Sequence, residues 1–516
     1  MQIVVLCLSG AALLALAAAY GFGRFGRRPQ GGEDHALPPA GDETGIGALA
    51  KPMIADNPGM NGVGLLADNV EAFVARALSA RQAGSSLDLQ YYYWKHDLAG
   101  RMLVREVLAA ADRGVRVRLL LDDINAGLHD RMCLALDAHE NIQVRLFNPS
   151  RARTDKLRRG LEMMMRPWRS TRRMHNKQWI ADGLLLIAGG RNIGDAYFDA
   201  SEEANFRDLD LWMLGPVAEA AGTVFDHYWN SSVVLPIGAL RTRRPHYLPA
   251  LRNKLEKVAA TDGGRHFLDA IDAAGAERLV AENRPLHWTS AARLVADPPE
   301  KAFLQRRNNW LMNELTPVLA DAGKHLKIIS PYFIPGRDGI AEVSRLAGRD
   351  VTVSVLTNSL AATDVAAVHG AYANYRKALL RNGAELFELK ANHAPSDRKR
   401  ISLFGSRGAS LHTKAFTVDG RTAFVGSMNF DPRSRSLNTE MGVLFTHPAL
   451  VEAVDAIFAE ETRPESAFRV TLENGRLHWR DSEDNRPRLL RREPEAGFVR
   501  WLTAAVIGIL PIESQL

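Results

Sequence analysis

Two stretches of the chain carry the same chemically useful residues at the same spacing. The residues of the first stretch are His175, Lys177, Asp182, Gly189, Gly190 and Asn192. Those of the second stretch are His412, Lys414, Asp419, Gly426, Ser427 and Asn429. Both stretches read H-x-K-x4-D-x6-G-[GS]-x-N, and two copies that agree at every internal distance indicate a shared function.

The histidine and the lysine of each copy are two residues apart, which is the period of a β-strand. Side chains at i and i+2 project from the same face of a strand, so each copy offers an imidazole and an ammonium group to one cleft. The asparagine amides can donate, and the small residues before them let the backbone approach a phosphate. The candidates for holding a phosphate are therefore Lys177, Lys414, Asn192, Asn429, Gly190 and Ser427.

This set of groups suits phosphodiester chemistry. Phosphoryl transfer needs positive charge around the phosphoryl oxygens, an in-line nucleophile and a proton for the leaving oxygen. One histidine can attack phosphorus and form a phosphohistidine while the other protonates the leaving alcohol, and a second alcohol or water completes a ping-pong cycle. The residues alone do not say which role belongs to His175 and which to His412.

A histidine with such a role needs an acceptor on its second ring nitrogen to fix its tautomer. Glu440 follows the second motif on a predicted strand, and counting back from the next proline in each half aligns it with Asp208. Asp210, on the same face of the strand, is the second choice. Asp182 and Asp419 complete the two catalytic motifs, but each precedes a glycine in a predicted turn, which favours bracing a hairpin over touching substrate.

The elements around the motifs also repeat. Strands that alternate with helices are predicted at 87–93, 115–121 and 142–147, and again at 326–333, 351–356 and 384–389. This alternation predicts an α/β fold with a largely parallel sheet covered on both faces. Each motif then lies on a predicted hairpin with an Asp-Gly turn, so the repeat is one of structure as well as of motif.

Length and composition are consistent with two globular domains, because the chain has 516 residues of which 46% are hydrophobic and 24% charged. The formal net charge of +6 favours anionic partners. The chain has two cysteines and no C-x-x-C or H-E-x-x-H pattern, so we expect no disulfide, metal or cofactor. The predicted segments are 1–26 (membrane anchor or signal), 27–60 (linker), 61–235 (first domain), 236–297 (helical insertion), 298–480 (second domain) and 481–516 (basic, amphipathic tail).

Three segments indicate what kind of partner the protein binds. The apolar run 3–20 is followed by arginines, which favours a membrane anchor over a cleaved signal or a buried helix. Segment 150–173 combines nine basic residues with methionine and tryptophan, which suits an anionic membrane, RNA or a solvated loop. In the tail, arginines precede an apolar stretch, 498–510, that is too short to span a membrane. We interpret that stretch as an interfacial helix, with docking on the protein core as the alternative.

These residues resemble the phospholipase D superfamily and, within it, bacterial cardiolipin synthases of the C type. The matching segments are 89–94, 114–123, 173–177, 189–198, 356–360, 408–414 and 426–434. The resemblance implies two similar α/β/α sandwich domains related by a pseudo-twofold axis, with the active site at their interface. It also implies phosphatidyl transfer through His175, with His412 as general acid, to the glycerol hydroxyl of phosphatidylglycerol. The donor would be phosphatidylglycerol or phosphatidylethanolamine.

By the same resemblance, the expected partners are anionic phospholipids and the surface of the bacterial cytoplasmic (inner) membrane, with the need for an accessory protein left open. A phospholipase D that uses water as acceptor is the alternative function. A nuclease with the same paired motifs is a third hypothesis, but the apolar N-terminus and tail favour lipid over nucleic acid. A non-catalytic lipid-binding scaffold fits poorly, because every motif position is present in both copies.

Overall fold

The computed structural model describes residues 8–15, 17, 31–126, 130–150, 171–275, 286–303, 310–391, 408–483, 486–510 and 513. Its strands are β1 (Asn61–Leu66), β2 (Ser86–Tyr91), β3 (Arg116–Asp122), β4 (Ile142–Phe147), β5 (Gln178–Ala181), β6 (Leu185–Gly189), β7 (Asn205–Arg207), β8 (Asp210–Leu214), β9 (Val234–Pro236), β10 (His287–Thr289), β11 (Ala292–Ala296), β12 (His325–Ile329), β13 (Thr352–Asn358), β14 (Glu385–Leu389), β15 (Ala409–Leu411), β16 (Ala415–Val418), β17 (Thr422–Gly426), β18 (Met441–Phe445), β19 (Ala467–Glu473), β20 (Arg476–Glu483) and β21 (Arg486–Leu490).

The helices are named here by their bounds. They are Gly45–Asp56, Asn69–Gln82, Leu98–Asp112, Asp123–Ala126, Asp130–Leu136, Pro216–Trp229, Ile237–Leu240, Tyr247–Ala259, Asp262–Ala274, Leu311–Ala320, Gly336–Ala347, Ala366–Ala373, Arg376–Arg381, Pro432–Ser436, Pro448–Glu461 and Phe498–Ile509. Two short 3-10 helices cover Asp195–Tyr197 and Pro299–Ala302. Residues 8–15 and 17 are also helical.

The strands form two large sheets with the same topology, which confirms the duplicated α/β fold. The order β1-β8-β6-β5-β2-β3-β4-β9 in the first sheet matches β11-β18-β17-β16-β12-β13-β14-β19 in the second. Strand β10 extends the first sheet, and β20 and β21 extend the second. The sheets are less parallel than expected, since among their described strands only β2-β3-β4 and β12-β13-β14 pair in parallel. Helical crossovers join these strands, whereas hairpins and returns make the remaining pairs antiparallel.

The predicted Asp-Gly hairpins are present in both halves. Asp182 and Gly183 have φ of 54° and 66°, and Asp419 and Gly420 have φ of 54° and 64°. Aspartate and glycine tolerate this left-handed backbone better than other residues, and it turns β5 back onto β6 and β16 back onto β17. The turns fix the register of the strands that carry the motifs.

One hydrophobic cluster joins the two halves. It contains Ile180, Leu186 and Leu211 of the first sheet together with Val425 and Val443 of the second. Strand β7 of the first half also pairs in parallel with β15 of the second. The two sheets are therefore held face to face through a shared core, and the ends of the motif strands meet at that interface.

Several predicted boundaries look different in the structure. The expected linker contains the helix Gly45–Asp56, whose Ile46 and Ala50 are buried in the core of the first half. The expected insertion is divided, since its helices pack on Asn69–Gln82 and Leu98–Asp112 while β11 joins the second sheet. The Gly- and Pro-rich composition of the expected linker does not predict the helix Gly45–Asp56 or its contact with the core. A helical pattern alone also does not show which half a helix packs against.

Two predicted segments lie largely outside the described residues. Of the apolar run 3–20, only residues 8–15 and 17 are described, and of the basic segment 150–173 only residues 150 and 171–173. In the part of the chain that the structure describes, none of the helices has both the length and the apolar character needed to cross a membrane.

Candidate active site

The two motif histidines approach the interface in the same way, each held by the backbone of the other half. The N–H of His175 donates to the carbonyl of Thr439 at 2.8 Å, and the N–H of His412 donates to that of Arg207 at 2.7 Å. Met174 and Thr439 form an isolated β-bridge at the first of these contacts. Neither histidine is therefore positioned by its own sheet alone.

Each imidazole also pairs with a carboxylate of the opposite half. The Nδ1 atom of His175 lies 2.8 Å from Oε2 of Glu440, and Nδ1 of His412 lies 2.5 Å from Oδ2 of Asp208. Asp210, the second choice, instead pairs with the buried guanidinium group of Arg76 at 2.8 Å. Both carboxylates are the ones expected from position, but they are exchanged between halves, which spacing along the chain could not show.

The small residues before the motif asparagines lie against these carboxylates. A Cβ atom on Gly190 would come within 2.1 Å of Oδ1 of Asp208, so only glycine fits there. At the equivalent position, the hydroxyl of Ser427 donates to Oε2 of Glu440 at 2.5 Å. The hydroxyl of Ser434 donates to Oε1 of the same carboxylate at 2.9 Å. The neighbouring carboxylate accounts for the small residue at each place.

Without substrate, the surroundings favour the neutral form of both histidines and the ionised form of both carboxylates. Burial lowers the pKa of His175 to about 4, against the opposing charge of Glu440. Burial, together with the charge of Lys414, lowers the pKa of His412. Burial alone would raise the pKa of Glu440 and Asp208, but the facing histidines and nearby lysines lower it. A neutral imidazole that donates Nδ1–H to a carboxylate keeps its Nε2 lone pair for chemistry.

The motif lysines are buried beside their histidines. The Nζ atom of Lys177 donates to the carbonyl of His175 at 2.6 Å, and Nζ of Lys414 donates to that of His412. Burial lowers the pKa of Lys414 and lowers that of Lys177 well below its usual range. An anionic phosphate placed between the two lysines would favour their charged forms, so the site is suited to an anion.

The histidines differ at their second ring nitrogen. The Nε2 atom of His412 lies 3.4 Å from the hydroxyl of Tyr197, which accepts hydrogen bonds from Tyr93 at 2.8 Å and from the amide of Asn192 at 3.1 Å. The rings of Tyr197 and Phe206 flank His412 at centroid distances of 5.1 and 4.9 Å. Within the described residues, no hydrogen bond forms at Nε2 of His175.

These aromatic residues escaped the sequence prediction. Tyr197 lies five residues after Asn192, in the place that Ser434 occupies after Asn429, so alignment of the two copies would have singled it out as a difference. The ring of Tyr92 contacts His175 edge-on at 5.0 Å. The amide oxygen of Asn429 is buried and accepts no hydrogen bond from the described residues. Substrate hydroxyl groups are the natural donors for such an oxygen.

The two motif aspartates do not join this group. Asp182 accepts hydrogen bonds of 2.8–3.2 Å from the backbone N–H groups of residues 84–86, just before and at the start of β2. Asp419 accepts bonds of 2.7–2.9 Å from residues 323–325, just before and at the start of β12. Both lie at the hairpin turns, and their contacts fit the bracing role.

Comparisons with known proteins point in one direction. The family described as "Cardiolipin synthase, PLD-like domain" matches residues 78–229 and 315–462, which include both motifs. The chain is 40% identical over 472 residues to cardiolipin synthase C of Escherichia coli (strain K12), covering 91% of this chain and 99% of that protein. It is 24% identical over 408 residues to a cardiolipin synthase of Listeria welshimeri, covering 78% of this chain and 69% of that one.

Among solved structures, phosphatidylserine synthase of Haemophilus influenzae Rd KW20 is similar in fold. The TM-score is 0.55 at 14% sequence identity, and the match covers 90% of this chain and 99% of that one. At this identity the likeness concerns the fold alone. It shows that the arrangement of two sheets seen here also occurs in an experimentally determined structure.

Proposed function

Since the chain belongs to the PLD-like cardiolipin synthase family, we propose that it is a phosphatidyltransferase that joins two phospholipids to form cardiolipin. The observation that carries the proposal is the pair of crossed histidine–carboxylate contacts at the interface, each with a buried lysine beside it. Two activated imidazoles around one anion-binding space are what a covalent, two-step transfer at phosphorus requires. No step in this scheme needs a cofactor.

In the first step, Nε2 of one histidine attacks the phosphorus of the donor phospholipid. A P–N bond forms and the P–O bond to the donor's headgroup alcohol breaks. The other histidine, which enters this step protonated on both ring nitrogens, gives its Nε2 proton to that oxygen. In the second step this second histidine takes the proton of the glycerol hydroxyl of phosphatidylglycerol. The resulting oxygen attacks phosphorus, the P–N bond breaks, and cardiolipin leaves. Lys177 and Lys414 stabilise the charge on the phosphoryl oxygens in both steps.

We assign the nucleophile to His175 and the acid and base work to His412. A nucleophile needs an uncovered lone pair, and Nε2 of His175 makes no hydrogen bond within the described residues. A general acid gains from a partner that orients its exchanging proton, and the Tyr197 hydroxyl lies 3.4 Å from Nε2 of His412. The asymmetry of the two surroundings therefore supports the order that family resemblance suggests.

Hydrolysis is the second candidate function, because water could replace the acceptor alcohol in the second step. The unpartnered amide oxygen of Asn429 favours transfer, since an acceptor hydroxyl could donate to it as the hydroxyl enters the cleft. Anionic phospholipids at the inner membrane of a bacterium are the proposed substrates and surroundings. The net charge of +6 suits such a surface.

The test uses the full chain, purified in detergent and incubated without metal. Phosphatidylglycerol is supplied alone or with phosphatidylethanolamine, and products are identified by mass. Cardiolipin is the expected product, and isotope-labelled headgroups show which lipid is the donor. If phosphatidic acid is the only lipid product, the protein is a hydrolase and not a transferase. If oligonucleotides are cleaved and no lipid is turned over, lipids are not its substrates.

A further inference from the structure

The C-terminal helix, Phe498–Ile509, packs on the protein through its smallest residues. A Cβ atom on Gly370 would lie 2.2 Å from the carbonyl oxygen of Ala504, and one on Gly508 would lie 2.8 Å from that of Gly370. The backbone therefore almost touches the helix Ala366–Ala373. This close contact directs the small residues inward and leaves the bulky ones outside.

Polar contacts fix the helix at both ends. Nε of Arg500 donates to the carbonyl of Leu360 at 2.6 Å, and the amide of Asn374 donates to the carbonyl of Gly508 at 2.8 Å. Ahead of the helix, Glu493 pairs with the buried Arg376 at 2.5 Å. The helix is thus held as a fixed part of the second half.

The side that faces away from the protein is mostly apolar, with Thr503 as an exposed polar residue. We call it the outer face, and it consists of Phe498, Val499, Trp501, Leu502, Val506 and Leu510. The side chains of Phe498 and Val499 are 72% and 75% exposed. Outside the N-terminal run, the described residues expose only four other large hydrophobic side chains, and these are scattered. A concentrated apolar face of this kind marks an interaction site.

The outer face lies beside the active site. Arg500 also donates to the carbonyl of Thr363, and the next residue, Asp364, accepts a hydrogen bond of 2.8 Å from Tyr332. The amide of Asn358, two residues before Leu360, donates to the carbonyl of Leu411 at 2.9 Å, and Leu411 directly precedes His412. The beginning of the helix is therefore attached to a loop at the edge of the cleft.

Charge and length indicate which partner covers this face. The segment before the helix carries the exposed residues Arg488, Arg491 and Arg492, and between 498 and 510 the only charged residue is Arg500. Basic residues next to an apolar helix of 12 residues suit the headgroup region of an anionic bilayer, which the helix is too short to cross. We propose that the outer face docks on a bilayer containing anionic phospholipid and brings the cleft to its lipid substrates.

This proposal rests on the proposed function only in calling those lipids substrates, so binding and turnover are measured separately. The full chain carries Cys7→Ser and Val506→Cys, leaving the buried Cys133, and is labelled with a polarity-sensitive dye. Vesicles contain phosphatidylglycerol and phosphatidylethanolamine. We expect a blue shift of the dye emission on vesicles and none when the dye is placed instead on the exposed Lys257→Cys.

Turnover is then compared on vesicles and in detergent micelles. For V499D/L502D the ratio of vesicle to micelle turnover is expected to fall about tenfold, because two charged groups would have to enter the bilayer interface. The matched control is L37D/M60D, which changes two exposed apolar residues near the far end of the first sheet, away from the motif histidines. That variant is expected to keep the wild-type ratio.

An unshifted dye together with an unchanged ratio would overturn the docking surface. A blue shift that appears without vesicles, together with a dimer in light scattering, would also overturn it. In that case the outer face would join two copies of the chain. A blue shift on vesicles without cardiolipin formation would keep the docking surface and remove the proposed reaction. Cardiolipin formation without a shift of the dye emission would keep the proposed reaction and remove the docking surface.

Discussion

His175 and His412 are held by equivalent contacts, yet the groups around their second ring nitrogens differ. Each donates its backbone N–H and presents its Nδ1 to the opposite half. Five residues after the motif asparagine, however, one copy has Tyr197 beside Nε2 of His412, and the other has Ser434 hydrogen-bonded to Glu440. The two halves therefore hold the imidazoles in the same way, while the residue at this spacing gives the two imidazoles different surroundings.

Replacing either histidine by alanine should have the largest effect. We expect H175A and H412A each to lower turnover by about 10⁴-fold or more, because each removes the nucleophile or the proton donor. The variants should differ in single-turnover experiments quenched with alkali and analysed by protein mass. H412A should accumulate a slowly formed phosphatidyl adduct and H175A none. The opposite distribution of adducts would exchange the two roles, and full activity in either variant would exclude the two-histidine mechanism.

The exchanged carboxylates provide the next test. E440Q and D208N should each lower turnover by about 10²–10³-fold, since an amide no longer fixes the imidazole tautomer that leaves Nε2 free. Because Glu440 faces His175, E440Q should mainly slow formation of the adduct. D208N should slow both formation of the adduct and its transfer to the acceptor, since His412 gives a proton in the first step and takes one in the second. Rapid-quench experiments measure the rate of adduct formation and the rate of its transfer separately for each variant. If D208N slowed adduct formation alone and E440Q slowed both steps, the crossed pairing would be wrong.

Tyr197 and Ser434 allow a comparison of two residues at the same spacing from the motif asparagines. Y197F should lower kcat about tenfold, as expected for loss of a hydrogen bond at an acting group. S434A should have a smaller effect, about threefold, because Glu440 keeps its bonds to Ser427 and His175. Equal effects of the two variants on kcat would argue against a special relation between Tyr197 and His412.

The pH profile of kcat/KM should report the same difference. Burial lowers the pKa of His175 to about 4, so its lone pair is lost, and activity falls, as pH drops through about 4. The pKa of His412 is also lowered, so its protonated, acidic form is lost on the alkaline side at a pH below the ordinary value of about 6.5. We expect Y197F to move the alkaline limb and leave the acid limb in place. Movement of the acid limb alone would contradict the assignment.

The motif aspartates should show the smallest effect on turnover. Asp182 is fully buried and accepts from three backbone N–H groups, whereas Asp419 makes the same contacts in a more exposed turn. D182N should therefore lower the free energy of unfolding by about 1–3 kcal/mol, and D419N by less. Denaturant unfolding measures the stability, and kcat per folded molecule should change less than about threefold. A large loss of kcat without loss of stability would place Asp182 in the chemistry.

The sequence by itself determined the reaction class and much of the local frame. H-x-K spacing sets which side chains share a strand face, and Asp-Gly sets where a hairpin turns, because both depend on backbone geometry over a few residues. Alignment of the two copies likewise identified Asp208 and Glu440 as equivalent carboxylates. These features depend on local geometry and on the repeat, which a sequence contains directly.

Only the tertiary structure decided which groups meet. The crossing of Glu440 to His175 and of Asp208 to His412 depends on how the two sheets pack, since partners 265 and 204 residues apart share no local pattern. The tyrosine at His412 and the outward orientation of the C-terminal helix have the same origin. Periodicity shows that a helix has an apolar side, but only packing against Gly370 determines that this side faces outward.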